Sequence, residues 1–196
     1  MNWPNRLTVL RVILSPIFFI FYFIPEWSGT AEVFSSIAVV VLFIVIEISD
    51  ALDGYIARRF NLVSDVGKVI DPFADVLSRM TYFFCFTMYG LMPSWIFLIL
   101  IYRELGATFL RMLMIRKGIA MAASAWGKLK AVTYATGGIL GVVYYVITTL
   151  PVETGGGAGI LRVTVIAVFV LGAVASVASF LTYVIKAMPS LRGNSP

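Results

Sequence analysis

Six stretches of this chain are apolar for long enough to cross a bilayer, separated by five polar or Gly/Pro-rich breaks. A spanning helix needs about 20 apolar residues at ~1.5 Å rise each, because lipid offers the backbone no hydrogen-bond partner. The stretches cover about residues 7–24, 32–56, 69–90, 94–115, 130–150 and 160–186. This pattern predicts an all-α polytopic membrane protein with six transmembrane helices, read as a single catalytic domain over 1–196 with no soluble domain. Composition agrees: 60% of residues are hydrophobic and 13% charged, where soluble domains average about half and about a quarter. The first stretch is too long, and too interrupted by Arg11, for a cleaved signal peptide, and Pro16 within it predicts a kink.

The chain has no histidine, which excludes Ser-His-Asp hydrolysis, phosphohistidine intermediates and His-ligated metals. Its single cysteine, Cys85, lies in an apolar run and reads as packing. The glycines between 155 and 159 lack the Lys and Thr of a phosphate-binding loop and read as a turn. A net charge of +5 reads as a topology signal and not as a nucleic-acid footprint. Arg6, Arg11, Arg58, Arg59, Lys68, Arg116, Lys117, Lys128, Lys130, Lys186 and Arg192 fall on one side of the six-span arrangement, against Glu26, Glu32, Glu153 and Arg162 on the other. The positive-inside rule then puts both termini, and the loops after spans two and four, on the cytoplasmic side of the cell membrane.

Four carboxylates stand at the cytoplasmic ends of spans two and three. Asp50 and Asp53 are spaced i,i+3 and Asp71 and Asp75 i,i+4, so each pair shares a helix face. Acids that converge at the membrane edge repel one another unless they are protonated, paired with a base or bound to a cation. Oxygen donors alone select a hard ion, Mg²⁺ or Mn²⁺, and two pairs suggest two ions clamping the oxygens of a phosphoryl displacement. Gly54, Ala57 and Gly67 leave backbone uncovered beside the acids, where a nucleotide could approach. Pro72 is tolerable if it lies in the first turn of span three.

Asp50, Asp53, Gly54, Ala57, Arg58, Gly67, Asp71 and Asp75 match every fixed position of D-x-x-D-G-x-x-A-R-(x8)-G-x-x-x-D-x-x-x-D. In this segment the chain resembles the CDP-alcohol phosphatidyltransferase family. The resemblance implies a six-helix bundle, usually homodimeric, that moves a phosphatidyl group from CDP-diacylglycerol to an alcohol and releases CMP. It also implies that Asp50, Asp53, Asp71 and Asp75 are metal ligands, that Asp75 is the base for the acceptor hydroxyl, and that Gly54, Ala57, Arg58 and Gly67 line the CDP pocket.

Asn5, Thr8 and Arg11 recur every three residues, resembling the N-x-x-T-x-x-R opening of the branch that makes phosphatidylglycerol phosphate. They would present amide, hydroxyl and guanidinium to CDP. In span four, Arg103 and Glu104 are adjacent and should point about 100° apart, poorly placed to neutralise each other. Arg103 could instead pair with Glu47. Arg111, Lys128 and Lys130, with Arg103, would suit an acceptor bearing its own phosphate. Gly127-Lys128-Leu129-Lys130-Ala131 resembles that branch's G-K-x-K-T element, with Ala131 replacing Thr. The expected acceptor is therefore glycerol 3-phosphate, with inositol phosphate, inositol or serine as alternatives. Val76 stands where many relatives have Lys, and Arg79, one turn past Asp75, could pair with that acid or contact a phosphate. A cation transporter is the rival class, but its sites lie near the bilayer midplane. A structural scaffold would tolerate loss of Asp71 and Asp75.

Overall fold

The computed structural model describes residues 3–59, 67–119, 125–151 and 156–191; within its helices, the side chains of 3–5, 53–58, 67–69 and 190–191 lie outside the description. Six helices follow in order: α1 (Trp3–Ser28), α2 (Glu32–Arg59), α3 (Gly67–Met88), α4 (Ser94–Arg116), α5 (Ala125–Thr149) and α6 (Gly157–Leu191). There is no strand among the described residues. Stretches of α1, α2, α5 and α6 are long and apolar enough to cross a membrane. Helices α3 and α4 have the length, 22 and 23 residues, but carry the charges from which the site is built.

Helix ends depart from expectation where proline sits. Helix α1 continues through Pro16 and Pro25, and the chain turns instead at Gly29, whose φ of +66° suits a residue without Cβ. Pro72 lies in the second turn of α3, since the helix already starts at Gly67. Its ring removes the N–H that would bond the carbonyl of residue 68. The stretch 125–130, expected as part of a loop, is the first turn and a half of α5. Of the glycines read as a turn, Gly156 forms one, with φ +88°, whereas Gly157 and Gly159 already belong to the first turn of α6; residues 152–155 lie outside the description.

Neighbouring helices close into a ring in the order α1, α2, α5, α6, α4, α3, with α3 also touching α5 across the middle. Aromatic side chains fill the centre. Phe83 on α3 meets Phe169 on α6 and Tyr134 on α5 edge to face at 5.0 and 5.3 Å, and Tyr22 stacks on Tyr145 at 4.0 Å. Cys85 is fully buried among them and free, as expected of a packing residue. A second, smaller cluster ties α4 to the far end of α6 through Leu110, Met114 and Ala187.

Gly137 and Gly141 let α5 approach these rings. A Cβ on Gly141 would come within 2.5 Å of the Phe86 ring, which is itself fully buried. A helical Gly→Ala change ordinarily gains about 1 kcal/mol, but here overpacking should win. Gly141→Ala is expected to lower stability by about 1–3 kcal/mol, read as a lower unfolding temperature in detergent; an unchanged or raised temperature would refute the packing account.

Candidate active site

Where α1, α2 and α3 converge, their polar residues meet. Arg11 of α1 is 1% exposed, and an arginine held among apolar helices must be compensated. Its Nη1 donates to Asp50 Oδ1 of α2 at 2.6 Å and to Asp75 Oδ1 of α3 at 2.5 Å. Asp50 receives a second guanidinium through its other oxygen, from Arg79 Nη2 at 3.0 Å. One turn before Arg11, the fully buried Thr8 donates to Asp71 Oδ1 at 2.7 Å. The i,i+3 face of α1 expected to meet a nucleotide thus delivers Thr8 and Arg11 to the carboxylates.

Asn5, Asp53, Gly54, Ala57 and Arg58 lie on α1 and α2 and Gly67 opens α3, but what surrounds them lies outside the described side chains. Among the described residues, no three acids are gathered closely enough to hold one metal ion. Asp50 and Asp75 are nevertheless drawn to a single cationic nitrogen, Arg11 Nη1. Hard oxygen donors around a positive charge fit Mg²⁺ or Mn²⁺ and fit zinc poorly.

Beside Asp75 opens a cavity of about 110 Å³ whose charged wall is Asp75, Arg79, Arg103, Glu104, Arg111 and Lys130. Arg111 is exposed, whereas Lys130, on α5, reaches inward. Lys128 is exposed and does not line this cavity, because residues two apart on a helix face about 200° away from each other. Of the four residues expected at an acceptor phosphate, the fold therefore brings together Arg103, Arg111 and Lys130.

Two expectations about α4 are overturned. Arg103 Nη1 does bond Glu104 Oε1, at 2.8 Å, because the long side chains bend back across the angle between their Cα–Cβ bonds. Arg103 also does not pair with Glu47: its Nε donates to the Ser176 carbonyl at 3.0 Å and its Nη2 to Ser179 Oγ at 3.1 Å. Glu47 accepts from Tyr82 OH at 3.0 Å instead. Sequence reasoning passed over Ser176, Ser179 and Tyr134. The available signal was a pair of serines one turn apart in the apolar last helix, a common form of interhelical polar contact.

An apolar groove of about 620 Å³ runs between α1, α3 and α4, lined by Val12, Pro16, Phe19, Leu77, Met80 and Phe84 among others. Met80 lines both this groove and the charged cavity.

The model of a known family, CDP-alcohol phosphatidyltransferase, matches residues 1–185. The chain belongs to this family. It is 34% identical over 198 residues to the CDP-diacylglycerol–glycerol-3-phosphate 3-phosphatidyltransferase of Treponema pallidum (strain Nichols), covering 98% of this chain and 92% of that protein. The protein of the same name from Bacillus subtilis (strain 168) is 35% identical over 78% of this chain and 80% of its own length. A probable phosphatidylglycerophosphate synthase of Mycobacterium tuberculosis (strain ATCC 25618 / H37Rv) is 32% identical over 68% and 62%.

As a CDP-alcohol phosphatidyltransferase, the chain is a membrane transferase that moves the phosphatidyl group of a CDP-linked lipid onto an alcohol, with CMP as the leaving group. In this phosphatidyltransferase Arg79 serves Asp50 and still borders the cavity beside Asp75.

Proposed function

We propose that the enzyme catalyses CDP-diacylglycerol + glycerol 3-phosphate → phosphatidylglycerol phosphate + CMP. The observation that carries this choice of acceptor is the charge of the cavity beside Asp75: four cations, Arg79, Arg103, Arg111 and Lys130, against two carboxylates, Asp75 and Glu104. The excess of two positive charges matches a phosphate monoester dianion. Inositol and serine carry no such group. The names of the relatives from Treponema pallidum and Bacillus subtilis support the same acceptor.

Asp75 accepts the proton of the acceptor hydroxyl as its oxygen bonds to the phosphorus bearing diacylglycerol. The bond from that phosphorus to the CMP oxygen breaks, and CMP leaves with the electron pair. A carboxylate is the fitting base in a chain without histidine. Asp50, Asp53, Asp71 and Asp75 would hold two Mg²⁺ ions, or Mn²⁺, which would supply charge neutralisation and a lowered pKa for the acceptor hydroxyl. Arg79, Arg111 and Lys130 orient the acceptor phosphate. Asn5, Gly54, Ala57, Arg58 and Gly67 form the CDP side, and the buried Thr8 and Arg11 hold the carboxylates behind it. We also propose that the termini and site lie on the cytoplasmic face, a reading supported by the distribution of Lys and Arg, and that the enzyme is a homodimer, as the family resemblance implies.

Purified enzyme supplied with CDP-diacylglycerol and Mg²⁺ should release CMP with glycerol 3-phosphate and not with inositol or serine. EDTA should abolish release, and Mg²⁺ or Mn²⁺ should restore it. Release with inositol phosphate alone would replace the acceptor and keep the donor chemistry.

A further inference from the structure

Glu104 places a negative charge inside a cavity that, on the reading above, receives an anion. A carboxylate there weakens the attraction for phosphate unless it does something else. Its Oε1 accepts three hydrogen bonds: from Lys130 Nζ at 2.6 Å, Arg103 Nη1 at 2.8 Å and Tyr134 OH at 3.1 Å. The residue is 8% exposed. Each donor is anchored again from behind. Tyr134 OH lies 2.9 Å from Ser176 Oγ, Arg103 is fixed to Ser176 and Ser179 of α6, and Lys130 Nζ lies over the Tyr134 ring at 4.9 Å from its centroid.

The consequence for the two cations differs. Arg103 has each of its three side-chain nitrogens bonded to the protein and is 7% exposed, so it behaves as a strut between α4 and α6. Lys130 is a flexible four-carbon arm with a point charge, and its described ion pair is with Glu104. Without that pair the ammonium could leave the apolar wall for water, as lysines near a membrane edge do.

We infer that Glu104 is a positioning residue for the acceptor: it acts through Lys130, holding the ammonium at the cavity wall, while Arg103, Tyr134 and the Ser176 and Ser179 contacts hold Glu104. The inference rests on the proposed function, since it assumes that this cavity takes the acceptor. It assigns Arg103 to the support of the site and leaves Arg79, Arg111 and Lys130 facing the acceptor.

The test is steady-state CMP release by wild type, Glu104→Gln, Lys130→Ala and the double variant, varying donor and acceptor separately. Wild type with glycerol 3-phosphate tests the proposed function. If another alcohol is the productive acceptor, that reading falls, and the variants are scored on that alcohol's own KM. Glu104→Gln should raise the acceptor KM about tenfold, as expected for the loss of one charge-assisted contact, with the donor KM unchanged. In the Lys130→Ala background Glu104→Gln should add less than about twofold, because neighbours that act as one unit are not additive. A donor KM that rises with the acceptor KM, a fall in kcat alone, or full additivity with Lys130→Ala would overturn the inference. Should Glu104→Gln fail to fold, Tyr134→Phe decides. It removes one bond to Glu104 and keeps the ring, so it should raise the acceptor KM by about threefold, and an unchanged KM would count against the role as decisively.

Discussion

Asp75→Asn should release CMP roughly 10³-fold more slowly than wild type at saturating donor and acceptor, within the 10²–10⁴ range for loss of a general base. The amide keeps the shape of the carboxylate but accepts no proton from the acceptor hydroxyl, and it makes a poor ligand for a hard cation. The fold should survive, for two reasons. Asp75 is 36% exposed, so water screens part of its interaction with Arg11. Arg11 also keeps Asp50 at 2.6 Å. Unfolding temperature in detergent, measured on the same preparation, separates the two effects. A folded Asp75→Asn protein that turns over normally would remove Asp75 from the chemistry.

Arg11→Met should have the opposite balance, with stability falling first. Its guanidinium is the cation between two acids from different helices and is 1% exposed. Removing one partner of a buried pair costs about 3–5 kcal/mol because a charge is left uncompensated. Asp50 and Asp75 are 28% and 36% exposed, so the lower end of that range is expected. The variant should also respond to ions more strongly than wild type: Mg²⁺ should recover part of the lost unfolding temperature, and EDTA should abolish the recovery. Equal Mg²⁺ responses in variant and wild type would mean that Asp50 and Asp75 do not need a cation between them.

The helices were legible because hydropathy is local: every expected span overlaps one helix, and the ends differ by a few residues. The ends at Pro25 and Pro72 were not, because proline removes one helical hydrogen bond without compelling the chain to stop when neighbours hold it. In the site, spacing placed Asp50 and Asp75 on the faces where the helices converge, whereas the partner of Arg11 was not legible. Nothing local distinguishes a guanidinium facing a nucleotide from one facing Asp50, 39 positions away. Arg103 and Glu104 failed for a related reason, since reasoning from Cα–Cβ directions ignores the reach of the side chains. The anchors of Arg103, Ser176 and Ser179, lie more than 70 residues downstream. Lys128 and Lys130 looked equivalent until the start of α5 set their helical phase.

Met80 forms part of both the charged cavity and the apolar groove. Its thioether has three rotatable bonds and no preferred shape, so it makes a thin and compliant partition between a wet compartment and an oily one. A catalyst that couples a water-soluble reactant to an oil-soluble one faces a solvation barrier if either must enter the other's medium. With Met80 bordering both compartments, each reactant can stay in its own solvent until the bond is made.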